Sequence, residues 1–293
     1  MTLDIEKSEK LPPEHRYFNI STIWIFYFRW ILRLLYRLRI PHELVTLLSI
    51  ASGLLAAYLF YHGLLIPGAI AIHLKDVFDA CDGALARLTG RGHLAGRYLD
   101  SVGDFIVLTL TMAAIAARAV SQGRDIYIFW GALAIVSTFI QCSFFNFYQL
   151  AYLERLGIDR LSSRRDEVRR QDLEGAESGR LWKLFMVLFR FLYVVIYGWQ
   201  DRLVAYVDRW LFMRCKGISE LAWYGDKALM IWQSVLCFGT QIFVIIMASV
   251  AGRPEYALIF ISVVMNFYLL LILFLRQRRF EAAAKIRVDG RNS

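Results

Sequence analysis

DACDGALARLTGRGHLAGRYLDSVGD, residues 79–104, lies between two runs apolar enough to enter a membrane, yet carries Asp79, Asp82, Asp100 and Asp104. The apolar runs read as helices over 65–85 and 98–118. Asp76, Asp79 and Asp82 then fall in the C-terminal half of the first helix, and Asp100 and Asp104 in the N-terminal half of the second. The connection is short, so the two helices are antiparallel neighbours. Asp79 and Asp82 are three apart and Asp100 and Asp104 four apart, so each pair occupies one helix face. Two acidic faces can meet at one end of the pair.

Outward from this stretch the pattern is that of an all-α polytopic membrane protein. The chain has 293 residues, 58% of them hydrophobic, and a mean hydropathy of +0.45. The apolar excess is gathered in runs of about 20 residues, enough to cross about 30 Å of hydrocarbon. Six spans are expected: 44–63, 65–85, 98–118, 126–152, 229–250 and 254–275. Residues 20–39 carry Arg29, Arg33 and Arg37 on one face of an otherwise apolar, aromatic helix, the mark of a segment lying in the interface. Pro41 ends it. Residues 1–40 thus read as a cytoplasmic tail and interfacial helix, and 41–293 as the membrane domain, with a basic cytoplasmic insertion at 153–228. Within the insertion, 181–200 is apolar but interrupted by Arg190, and reads as a second interfacial helix. Were it a seventh span, the last two helices would be inverted.

The net charge of +9 and pI near 9.5 do not point to nucleic acid, because the arginines cluster just outside apolar runs, as in loops facing anionic lipid. Arg87, Arg91, Arg97, the 155–183 loop and the tail with Arg276, Arg278, Arg279 and Lys285 all fall on one side, taken as cytoplasmic; Arg118 and Arg124 are exceptions. The aspartates then sit near the cytoplasmic surface of an inner (cytoplasmic) membrane. The N-terminus lacks the layout of a cleaved signal peptide. Cys81, Cys142, Cys215 and Cys237 are scattered and read as small buried hydrophobes.

Four carboxylates in one partly dehydrated place repel each other unless protonated, paired with cations or bound to metal. Hard oxygen ligands in that number suit Mg²⁺ or Mn²⁺. Two such ions about 3.5–4 Å apart are a known arrangement for phosphoryl transfer. Gly83 and Ala86 leave the inner turn open to a flat or phosphate-bearing ligand. Gly96 permits close helix contact, and Arg87 can neutralise a phosphate.

The order D79-x2-D82-G83-x2-A86-R87-x8-G96-x3-D100-x3-D104 fixes eight residues at fixed spacing, and it resembles the signature of the CDP-alcohol phosphotransferase family. I40-P41-H42-E43-L44-V45-T46 is similar to the family's Pro-Asn-x-x-Thr approach to its first helix, with His42 where Asn is usual, so no contact is carried over for His42. The resemblance implies a CDP-linked donor on two metal ions, attack by an alcohol on the phosphorus bearing the non-cytidine group, and release of CMP. It assigns Asp79, Asp82 and Asp100 to metal, and Asp104 to metal and to acceptance of the hydroxyl proton. Gly83 and Ala86 would line the cytidine site, Arg87 would meet donor phosphate, and a homodimer is implied. The insertion lies outside it.

Several neighbours have blander readings. Asp76 is read as a helix-face charge paired with Lys75 or an arginine. His73 and His93 are read as structural, and Phe144, Phe145, Phe147 and Tyr148 as lipid-facing or core. Gln141 and Asn146 are candidate acceptor contacts. Arg164, Arg165, Arg169 and Arg170 are read as a solvated or headgroup-facing run. Two donor forms stay open: CDP-diacylglycerol with a small alcohol, which is favoured, and CDP-choline or CDP-ethanolamine with diacylglycerol. A phosphorylated acceptor should need deep cations, and 229–275 holds only Arg253. A different class, an ion pathway or transporter, would spread its acids through the membrane depth; here they crowd one end.

Overall fold

The computed structural model describes residues 25–90, 94–155, 157, 180–215 and 217–289, with side chains at 27–90, 98–155, 157, 187–215 and 217–283. The tail at 1–24, His93 and the Arg164–Arg170 run lie outside the described residues. The helices are α1 (Ile25–Arg37), α2 (His42–Tyr61), α3 (Leu65–Thr89), α4 (Leu94–Ser121) and α5 (Ile126–Arg155). After these come α6 (Arg180–Arg214), α7 (Glu220–Tyr224), α8 (Lys227–Gln233), α9 (Phe238–Val250) and α10 (Glu255–Asp289). Among the described residues every regular element is helical, as expected for an all-α membrane protein.

The breaks follow from the residues that make them. Arg39 adopts φ 54 and Pro41 is extended, so α1 and α2 are separate helices. Gly63 turns α2 into α3 with φ 76, and a Cβ there would come within 2.7 Å of the Arg118 guanidinium. Arg118 therefore packs on the turn at the end of the bundle opposite the aspartates. Arg124 at that same end is hydrogen-bonded to buried Glu255. The two arginines that broke the charge asymmetry thus have structural partners. Gly90, with φ 65, ends α3 in the left-handed conformation that suits glycine.

Among the described residues, four helical stretches are long and apolar enough to cross a membrane: His42–Tyr61, Tyr98–Ser121, Ile126–Arg155 and Glu255–Ala283. A fifth arises if α8 to Leu236 and α9 count as one span bent by 46°. This corrects the expected straight helix over 229–250. Asp226 caps α8 by accepting from the amides of Ala228 and Leu229, and extended Cys237 interrupts the helical path. The acid-bearing α3 is not among these spans, because Lys75, Asp76, Asp79 and Asp82 interrupt its hydropathy; the expected six are reached only by counting it.

α2 packs against both α3 and α4, and α5 packs on α4 and α10. The main core gathers residues of α2–α10, including Met112, Tyr148, Trp223 and Ile261. A second, smaller core joins Leu32 and Leu35 of α1 to Val45 of α2 and to Val77, Cys81, Ala84 and Leu85 of α3. Phe144, Phe145, Phe147 and Tyr148 are all buried, so the core reading of that cluster holds over the lipid-facing one. The helix expected over 181–200 runs on to Arg214. One side presents Tyr193, Tyr197 and Gln200 to the bundle, and Val187, Phe191, Val194, Trp199 and Tyr206 are exposed on another.

Candidate metal centre

Two helices and one hydroxyl build the centre. Asp79 and Asp82 project from the last third of α3, and Asp100 from the second turn of α4. One oxygen from each of these three carboxylates lies within 4.8 Å of the others. Oxygens bound to one octahedral Mg²⁺ at about 2.1 Å are about 3.0–4.2 Å apart, so the three carboxylates must draw closer to close on an ion. Asp79 Oδ1 is buried and has no hydrogen-bond partner, a costly state for a charged oxygen. The cation nearest it is the Lys75 ammonium, at 3.6 Å, and the donor set of hard oxygens in the three carboxylates fits Mg²⁺ or Mn²⁺.

Thr46, in the second turn of α2, donates its hydroxyl to Asp82 Oδ2 at 2.6 Å. That contact fixes the orientation of a buried carboxylate. It also ties α2, which carries none of the four aspartates, to the centre. On the same helix Ser49 donates to the Lys75 carbonyl at 3.0 Å.

Asp104 stands apart from the other three. It is one turn further along α4 than Asp100, and its Oδ1 accepts a hydrogen bond from the Lys75 ammonium. Lys75 is 1% exposed and also lies 3.6 Å from Asp79 Oδ1. Its ion pairs therefore run to Asp79 and Asp104, in place of the Asp76 pairing read from the sequence. Successive residues on a helix diverge, whereas i and i+4 stack.

The glycine and arginine of the motif are also together. A Cβ on Gly83 would lie 3.3 Å from Arg87 Nη1, so the absent side chain gives the guanidinium room to fold back along α3. Ala86 is half-buried beside it. Gly96 is in the first turn of α4; its surroundings lie outside the described residues.

Other candidates fall away from the centre. Gln141 is fully buried, donating to Asn266 Oδ1 at 2.8 Å and accepting from Gln241 at 3.1 Å, so it joins α5, α9 and α10. Asn146 is exposed. His73 Nε2 pairs with the Tyr27 hydroxyl, linking α1 to α3. Two features were missed by sequence reasoning. Tyr197 of α6 donates to the Ser101 carbonyl at 2.9 Å, and Tyr193 packs on Tyr98, so the insertion braces α4 beside Asp100. Arg276, just past the window searched for deep cations, is 1% exposed. It lies 3.9 Å from the Tyr148 ring centroid and donates to the Trp223 carbonyl and to Gln233.

An all-α membrane protein with an acidic cation centre at one end of a helix pair is the class these features define. Residues 40–165 match the family model described as CDP-alcohol phosphatidyltransferase. The match contains all four aspartates and α2–α5; α6–α10 lie beyond it. A curated relative is the archaetidylserine synthase of Methanothermobacter thermautotrophicus, 33% identical over 106 residues, which are 36% of this chain and 46% of the relative. The chain thus spans about half the length of the curated relative it matches.

Proposed function

We propose that the protein is a membrane-embedded transferase that moves a phosphatidyl group from CDP-diacylglycerol to a small alcohol and releases CMP. The observation that carries this reading is the convergence of the Asp79, Asp82 and Asp100 carboxylates, inside the matched stretch. These three carboxylates would hold a divalent ion, whose bound chemistry is charge neutralisation on a diphosphate and on departing CMP. Arg87, beside the open Gly83 turn, neutralises donor phosphate from the protein side. The acceptor oxygen forms its bond to the phosphorus that carries the lipid. The bond from that phosphorus to the CMP oxygen breaks, and CMP leaves with the electron pair. The hydroxyl proton passes to Asp104.

The relative is named for archaetidylserine, so serine heads the candidate acceptors. The deep cation now visible, Arg276, is engaged by Trp223 and Gln233, which favours an acceptor without phosphate. The active site on the cytoplasmic side of the inner membrane and a homodimer belong to the same proposal. The test incubates purified protein with Mg²⁺ or Mn²⁺ and labelled CDP-diacylglycerol plus serine, inositol, glycerol phosphate or inositol phosphate. A parallel arm offers CDP-choline or CDP-ethanolamine with diacylglycerol. The expected result is metal-dependent CMP and lipid product from the first arm, lost in Asp79→Asn. Product in the second arm alone would reverse the donor assignment, and CMP from neither arm would overturn the enzyme reading.

A further inference from the structure

The resemblance in the motif leads one to expect two ions shared by four carboxylates. The side chains divide differently. Asp79, Asp82 and Asp100 face one another. Asp104 faces a lysine that the motif does not include. Lys75 lies one turn before Asp79 on α3, and Asp104 one turn after Asp100 on α4, and the two side chains meet. The ammonium is bonded to Asp104 Oδ1, stands 3.6 Å from Asp79 Oδ1, and is almost wholly shielded from solvent. A buried ammonium needs a paired carboxylate, and the two carboxylate oxygens paired with it belong to Asp79 and Asp104.

We propose that Lys75 is the second cation of this centre. It occupies the place between Asp79 and Asp104, the protein takes one divalent ion per chain, and Asp104 is positioned by the lysine. This rests on the metal-dependent reading above. A divalent ion bound by both Asp79 and Asp104 would sit within a few ångströms of the ammonium and be repelled by it. Lys75 also fixes one oxygen of Asp104, leaving the other for the acceptor's proton. Lys75 is a positioning residue: it holds the acid and excludes an ion.

The test counts ions independently of turnover. Metal-free protein in detergent is equilibrated with Mn²⁺, and bound ion is measured by elemental analysis and by its paramagnetic resonance signal. The wild type is expected to bind one ion, Lys75→Arg one, and Lys75→Met two. Asp104→Asn keeps the wild-type Mn²⁺ affinity within about threefold, because Asp104 is not a ligand, whereas Asp82→Asn weakens it at least tenfold. Two ions on the wild type overturn the role of Lys75 while leaving the metal reading intact. One ion on both wild type and Lys75→Met shows that the lysine excludes nothing, and also overturns it. No ion on the wild type removes the metal reading itself. The wild-type count and the Asp104→Asn affinity decide the matter even where Lys75→Met does not fold.

Discussion

Gly53→Ala tests the packing that sets the centre's dimensions. A Cβ on Gly53 would lie 2.2 Å from Val107 Cγ1, 2.8 Å from Cγ2 and 3.1 Å from its Cβ. Both branches of the valine and its root are too close, so rotating χ1 gives no relief, and a helical valine has little rotamer freedom. α2 and α4 must separate. Overpacking that moves backbone falls at the upper end of its range, about 3 kcal/mol, offset by about 1 kcal/mol from replacing a helical glycine with alanine. The net loss of about 2 kcal/mol corresponds to a melting temperature about 4–8 °C lower. Val107 is three residues beyond Asp104, so the strain also reaches the acidic layer, and less added stabilisation by Mg²⁺ is expected. Gly103→Ala is the control. It would meet only the Cδ1 and Cγ1 atoms of Ile50, at 2.7 and 2.8 Å. That flexible end can turn aside, so the expected change is near zero. The assay is thermal unfolding in detergent of both single variants, Val107→Ala and the Gly53→Ala/Val107→Ala pair. The pair should be less destabilised than the sum of its single changes by about 1–2 kcal/mol. Strict additivity, or equal losses for Gly53→Ala and Gly103→Ala, would refute the contact argument.

Two more outcomes follow from single side chains. Thr46→Val keeps the volume but removes the donor to Asp82, and Mn²⁺ affinity by titration should fall about 10–100-fold; unchanged affinity would show that the hydroxyl orients nothing. Arg276→Lys loses the planar stack on Tyr148 and one of two donor directions, and should destabilise by about 2 kcal/mol, read as a lower melting temperature. The number of Mn²⁺ ions bound should stay the same.

Much of the centre was legible because its chemistry is written in short spacings. Asp79 and Asp82, and Asp100 and Asp104, share faces by helical period alone, and the short link lets acids of the two helices meet. What spacing does not give is the layer at which the two faces engage. That depends on how Gly53 lets Val107 approach and on how Ser49 and Thr46 tie α2 to α3. The grouping of three acids, with Asp104 turned to Lys75, was therefore not readable. The bend near Cys237 was hidden for another reason: hydropathy averages over a window, while one extended residue breaks a helix. α6 was read short because its apolar run ends at Asp201 and Arg202, yet both are exposed and the helix continues past them. The side that matters carries Tyr193, Tyr197 and Gln200, which have no period distinct from the aromatic residues around them.

How a membrane helix tolerates so many acids is answered by what covers each half of α3. Its large exposed apolar side chains are Ile66, Ile70 and Leu74, a stripe at four-residue spacing confined to the half without acids. From Lys75 onward the apolar residues Val77, Cys81, Ala84 and Leu85 are buried under Leu32 and Leu35 of α1 and against Val45 of α2. The helix therefore meets lipid only where it is apolar. Where it is charged, an amphipathic helix shields one face and the partner helices α2 and α4 take the other, supplying a hydroxyl from Thr46 and two further carboxylates. The desolvation that makes an isolated intramembrane carboxylate prohibitive is here shared among a lysine, a threonine and a site of hard oxygens matched to a divalent ion. The same cover explains why α1 belongs to the functional unit although the family match begins at residue 40: without it, the apolar back of the acid-bearing turns would face water or headgroups, and the front could not be held against α4.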